Sequence, residues 1–552
     1  MAEYAIRNDY ISWHAMPFTV QTDLLTPELL EHSLSISQKL DQKYGKQTIA
    51  AKQTDVPGVT KAMIKPLLKA GVRFLHIGVN TACKMPRVPS IFRWRNDDGE
   101  ELITVYDGAY GVFTQISDTC AMMFCFGGDN TSPMSVEDIR NRFAEIERSW
   151  PDYDVVAASI SDVAREAEKV RDSYPVIEGE IGDSWVYGVA SDPRKTLTYH
   201  ALLRYAKTCG ETEREAIYKA LTPVPEHTWG MSQLQYLADY EHYSKDQLAE
   251  LLKIDRIKKL ASSWEEQRAY VEAAIHEGNA SLATEYKRER VFLPGTNDEL
   301  PHDLRINEYG EIVSLKLNGK TLADEDHSLC AFVYEQFSEK EYDRFFTRYT
   351  RYAQKGQEPE MWALTNLTKV GMGTGIDRYR RYRPTLESAS CDGNRVAVDC
   401  VLPTEACEQY GCPRRVQYTL TFDPSGVEID FAWFEKDKNR MAEAMWLIFS
   451  LPVASAADWR IEKLGQMLNP FHRVADGGVQ HYTCGAVQNA DLELSFPDGA
   501  LITFGQPNLL DFDDSGLTGE CISVNLYNNA WETNYPLWYG EDGRIRIRLT
   551  LS

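Results

Sequence analysis

Asp55 is the residue whose setting most clearly suits chemistry: it ends the apolar run QTIAAKQT and opens TDVPGVT, directly before a helical stretch. In α/β domains the C-terminal ends of strands face the ligand, so a carboxylate there can act on a substrate. A helix N-cap is the alternative role for the same Asp. Asp129, in FGGDNTSP, also follows an apolar run, and its two preceding glycines let the backbone approach a ligand closely. A turn aspartate is the alternative there. Two carboxylates facing one cleft are the nucleophile and acid/base pair of a retaining glycosidase. His227, in PEHTWG, sits between Glu226 and Trp229 and offers a metal ligand or a proton carrier. A structural histidine is the alternative. Asp183, Asp192 and His14 are further candidates, and Trp185, Tyr187 and Trp229 offer rings on which a sugar could stack.

The sequence contains no HxH, HExxH, clustered Cys site, phosphate-binding glycine loop or GxSxG elbow. A complete metal site is therefore not legible. Net charge is −23 with no basic cluster, which argues against nucleic acid and against an acidic membrane surface. The 11 cysteines are odd in number and scattered, which suits free thiols in a reducing cytoplasm better than a disulfide framework. The polar opening MAEYAIRNDY lacks the apolar core of a signal peptide, and the run 441–457 is broken by Glu443 and Pro452. A cytoplasmic, non-membrane protein is expected.

The elements that must position these residues fall into three parts. Residues 1–195 alternate strand-like runs with amphipathic helices, among them 26–44 with Thr26 as cap and 135–150 with Ser135 and Asp138 as a capping box. Strands are expected at QTIAAKQT, VRFLHIGVN, MMFCFGG and DVVAAS, which makes a βαβα pattern and a barrel-like α/β domain. Residues 196–290 carry helical periodicity and predict a small bundle. Residues 291–552 break into short alternating runs such as RVQYTLTF, GVEIDFAWF and RIRIRLTLS, and predict an antiparallel β-sandwich.

The order of these motifs resembles the glycoside hydrolase family 38 α-mannosidases, and more closely their relatives grouped as domain of unknown function family 5054. The matching stretches are WHAMPFT (13–19), AAKQTDVPGVT (50–60), FLHIGVN (74–80), GDNTSP (128–133), GEIGDSWVYGVASDPRK (179–195), PEHTWG (225–230), SWEEQR (263–268), YEQFS (334–338) and NLYNNAWETNYPLWY (525–539). The resemblance implies a seven-stranded (β/α) catalytic domain, a helical bundle and C-terminal β-sandwich domains. It also implies zinc-assisted retaining hydrolysis of α-linked sugars, with Asp55 as nucleophile and metal ligand, Asp129 in the acid/base segment and His227 as a second metal ligand. Two departures stand out. Family members open on a strand bearing a His-x-Asp metal motif that nothing here matches, so half the metal site and the first part of the barrel are expected to be missing. Val59 stands where relatives often carry His. A barrel begun this late would expose a sheet edge for a neighbouring copy to cover, which makes a homo-oligomer one expectation. A carbohydrate-binding protein without catalysis is the alternative function.

Overall fold

The computed structural model describes every residue except 126–130, 296–299, 302, 354–357, 375–377, 478–479, 491, 512–516 and 552. Five strands form the sheet that carries Asp55: β1 (Ala50–Asp55), β2 (Phe74–Val79), β3 (Ile91–Arg95), β4 (Glu101–Asp107) and, beyond the two-stranded hairpin β5 (Thr114–Ser117) and β6 (Cys120–Met122), β7 (Val176–Ile177). Their order is β1-β2-β4-β3-β7. β1, β2 and β4 are parallel, with Asp55 opposite Val79 and Gly78 opposite Asp107. The strands β2 and β4 are buried almost throughout, as parallel strands covered on both faces must be.

The helix Pro27–Tyr44 starts as its sequence dictates, with the Thr26 side chain accepting from Leu29 N, and ends on Gly45 at φ 66°. The helix Val136–Ser149 carries the expected Ser135–Asp138 capping box. The described residues give a five-stranded mixed sheet, fewer strands than the seven of a whole barrel, as expected where its first part is missing. One expectation is corrected. DVVAAS is not a strand, because its residues are largely exposed (Val156 is 73% exposed) and bury no face. Instead it leads into the Ser159 cap of the helix Ile160–Lys169.

Strand β1 lies at the sheet edge, and the chain itself covers it. Ala15 N donates to Ala50 O, Thr54 N donates to Thr19 Oγ1, and the Gln53 side chain bonds both the N–H and the carbonyl of Val20. The bare edge expected from the sequence is absent here.

Helices Pro193–Ala206, Glu211–Leu221, Lys245–Leu251 and Asp255–Glu272 make the expected helical part. In the β region thirteen strands join into one hydrogen-bonded sheet, beside a separate three-stranded sheet formed by 305–306, 312–317 and 320–323. The long strand Leu492–Phe504 makes the turn. Its first residues pair with Gly543–Leu551 and its last with Ile522–Asn528. Phe332 and Phe431, from distant strands of this sheet, stack at 5.6 Å, so the sheet folds back on itself as a sandwich would. One apolar core runs from Ala15 to Leu549 across all three parts. Among the described residues no helix is long and apolar enough to cross a membrane.

Candidate active site at the end of the first strand

Asp55 closes β1 with φ 79°, a left-handed conformation that costs a non-glycine residue roughly 1–2 kcal/mol. Its backbone stays anchored while its direction changes: Asn80 N donates to Asp55 O at 2.8 Å. The chain then turns through Pro57, whose carbonyl accepts from the buried Tyr106 hydroxyl, and passes Gly58. A Cβ on Gly58 would lie 2.7 Å from Asp183 N, so only glycine lets the two loops touch. Val59 is buried and its N–H bonds Ile181 O. At this position the side chain packs in the core instead of lining a cleft.

Three side chains converge on the Asp55 carboxylate. Tyr110 donates a short hydrogen bond to Oδ1, and Asn80 Nδ2 donates to the same oxygen at 2.9 Å. His227 Nε2 stands 3.4 Å from Oδ2. Burial alone would raise the Asp55 pKa, but the His227 hydrogen bond and charge, with Tyr110 and Asn80, outweigh it and hold the carboxyl below its ordinary value. Burial likewise opposes charge on His227, yet Asp55 and Glu226 lift that imidazole to about 9. The pair is therefore a carboxylate facing an imidazolium at neutral pH. The other ring nitrogen, Nδ1, is 2.7 Å from Glu226 Oε1, close enough for an ion pair but without hydrogen-bond alignment.

One segment fixes both partners. Residues 15–20 run along the edge of β1 on one side. On the other, Gln21 N donates to Pro225 O and His227 N to Thr19 O, while Val20 bridges Glu226. Gln21 Nε2 donates to the Tyr535 hydroxyl at 2.5 Å, and the charges of Asp55, Glu226 and Asp183 all reach that buried phenol. WHAMPFT and PEHTWG, distant in sequence, thus act as one clamp.

Asp183 caps the turn 184–190 through Trp185 N and accepts from Tyr349 Oη at 2.8 Å. Burial pushes its carboxyl up to about 7. The Cys83 sulfur stands 3.0 Å from the same Tyr349 hydroxyl, and burial first, then the charges of Asp183 and Asp55, push its thiol up. His14 is half-buried beside Lys52, and burial followed by the Lys52 charge pushes its imidazole down to about 4. Asp192 serves as a helix cap and grips Arg268 through both oxygens, at 2.8 and 3.0 Å, which is a structural role.

The three aromatic candidates are core residues. Trp185, Tyr187 and Trp229 are 5%, 1% and 1% exposed. Trp229 is sandwiched between the Lys195 ammonium, 3.5 Å from its ring centre, and the edge of Tyr535. Tyr187 packs on His481 and Trp531. No ring face remains open for stacking. Asp129 lies outside the described residues.

Tyr110, Gln21 and Tyr535 were not singled out by the sequence reading. Asn80 was within reach of it: it directly follows β2, the parallel neighbour of β1, and parallel strand ends lie side by side. A catalytic zinc takes about three protein ligands. Asp55 and His227 supply two, and among the described residues no group of three ligating side chains converges. This donor set falls short of a zinc site.

A family model described as "Domain of unknown function (DUF5054)" matches residues 189–302 and 298–429. A search of curated proteins found no match. Among solved structures, the chain is similar to an alpha-mannosidase from Enterococcus faecalis V583, at TM-score 0.59 and 9% identity, over 100% of this chain and 79% of that one. It is also similar to a protein in the glycosyl hydrolase family 38 from Enterococcus faecalis, at TM-score 0.52 and 8% identity, over 100% of this chain and 78% of that one. The resemblance carried by the motifs agrees with these findings, and the chain has the fold of those glycoside hydrolases.

Proposed function

We propose that this protein is a retaining glycoside hydrolase acting on α-linked sugars of the mannoside type, with Asp55 as its nucleophile. The observation that carries the reading is the Asp55 carboxylate itself: it ends a parallel strand, its side chain is 23% exposed, and His227, Tyr110 and Asn80 keep it ionised. Tyr110 and Asn80 both hold Oδ1, so Oδ2, whose one partner is the longer 3.4 Å contact with His227, is the oxygen to attack. In the first step Oδ2 bonds to the anomeric carbon as the bond to the leaving oxygen breaks, and that oxygen takes a proton from the acid. In the second step water attacks the same carbon, gives its proton to the conjugate base and releases Asp55. The resemblance assigns the acid/base to Asp129.

His227, positively charged, balances the carboxylate before attack. Once that charge is lost in the glycosyl-enzyme, the unpaired imidazolium favours the return of Asp55 as carboxylate in the second step. The motif resemblance alone implies zinc. Among the described residues Asp55 and His227 do not make a zinc site, and no step here depends on a metal. Hydrolysis of an aryl α-mannoside by the full chain, with Asp55→Asn beside it, tests the reading.

A carbohydrate-binding protein without catalysis is the second reading. It is favoured by the direct ion pair between Asp55 and His227, which spends the carboxylate on a protein partner. Saturable sugar binding with no turnover would select it.

A further inference from the structure

A cavity of about 410 Å³ lies between the helix Pro193–Ala206 and the β region, and neither Asp55, Tyr110 nor His227 lines it. Pockets that bury small ligands start at roughly this size. We propose that this cavity is a second binding site, taking a neutral hydroxylated ring such as a single hexose residue.

Charge sets the ligand class. Four acids line the space (Asp23, Glu28, Glu462, Asp498), and four bases (Arg204, Lys207, Lys463, Arg544). They cancel locally. Lys463 pairs with Asp23, Arg204 with Asp498 at 3.1 Å, and Lys207 with Glu28 at 3.2 Å. Arg544 pairs with Asp430 at 2.8 Å, and Glu462 accepts from Gly465 N at 2.7 Å. An anionic ligand would have to break one of these pairs, whereas a neutral one need not.

The lining is amphipathic. Leu197, Leu203, Phe496 and Leu501 supply apolar surface, while the paired charges ring it with donors and acceptors. A sugar ring has one apolar face and a hydroxyl rim, and matches both.

Two polar side chains of the lining, His200 and Glu28, are left for a ligand to meet. His200 projects from the middle of the lining face of its helix and packs against Tyr199 and the Gly499 turn. Among the described residues its ring nitrogens have no hydrogen-bond partner. A Cβ on Gly499 would sit 2.3 Å from Nε2, so the glycine makes room for the ring. Burial pushes the imidazole down to about 4. The neutral ring then offers one donor and one acceptor, the pair a sugar hydroxyl can use. Glu28 Oε2 is also buried without a partner.

The test is titration of the full chain with methyl α-mannoside, followed by calorimetry and by the ring proton resonance of His200. The site is independent of the chemistry at Asp55, so Asp55→Asn is the control for the other cleft. The expected result is saturable binding of equal affinity in wild type and Asp55→Asn, with the His200 resonance moving along the same curve. Thr196→Trp, which fills the cavity from its helical wall, is expected to weaken binding at least ~10-fold. Should that variant fail to fold, the His200 resonance decides alone. No saturable binding, an unmoved His200 resonance, or binding that Asp55→Asn abolishes would each overturn the proposal.

Discussion

Asp55 Oδ2 and His227 Nε2 stand 3.4 Å apart, although one ends a buried strand and the other lies in a loop beyond the helix Glu211–Leu221. Residues 15–21 hold them there by binding the edge of β1 and the 225–227 loop at once. The charged pair is thus positioned by backbone, while Tyr110 and Asn80 fix the other carboxylate oxygen.

Removing that oxygen's donor should cost rate and little else. Tyr110→Phe is expected to lower kcat about tenfold or more, since a hydrogen bond to a charged group is worth about 1.5–3 kcal/mol. The Tm should change little, because Tyr110 is half-buried. Steady-state kinetics beside a melting curve checks this.

The left-handed backbone at Asp55 sets function against stability. Asp55→Gly and Asp55→Ala both remove the carboxylate, but only glycine relieves the strain. Asp55→Gly is expected to be about 1 kcal/mol more stable than Asp55→Ala, measured by denaturant unfolding. Equal stabilities would show that the conformation carries no strain.

Asp183 makes stability depend on pH. Its folded pKa, about 7, lies above its ordinary 3.8. The folded protein therefore holds a proton that the unfolded chain gives up. That contribution is complete below pH 3.8 and is lost as pH rises through 7. Asp183→Asn keeps an acceptor for Tyr349 and Trp185 N without the buried charge. It is expected to gain up to about 4 kcal/mol on wild type at pH 8 and nothing near pH 4. Unfolding at the two pH values decides it.

The donor set at Asp55 bears on metal. With two ligands among the described residues, dialysis against a chelator is expected to leave the Tm within about 1 °C of the untreated protein, whereas a zinc site that stabilised the fold would lower it by more. Elemental analysis before and after gives the occupancy.

Much of this was legible in the sequence. The caps at Thr26 and Ser135, the strand ending in Asp55 and the alternating runs after 291 follow from local rules, and the structure has them. DVVAAS misled because its apolar residues find no face to bury. The hairpin of β3 and β4 went unread because β4 is buried at nearly every residue and shows no alternation, although β3 alternates. Trp185, Tyr187 and Trp229 looked like sugar platforms, yet one sequence does not say whether a ring faces a cleft or a core. Tyr535 and Gln21 meet across almost the whole chain, a pairing that no local pattern encodes.

The most direct test of Asp55 as nucleophile is to trap the glycosyl-enzyme with a fluorinated α-mannosyl fluoride, digest the protein and locate the label by mass spectrometry. The expected result is one hexosyl adduct on Asp55, in the tryptic peptide 53–61, absent from Asp55→Asn. An adduct on another carboxylate, or turnover of an aryl α-mannoside by Asp55→Asn at the wild-type rate, would contradict the assignment.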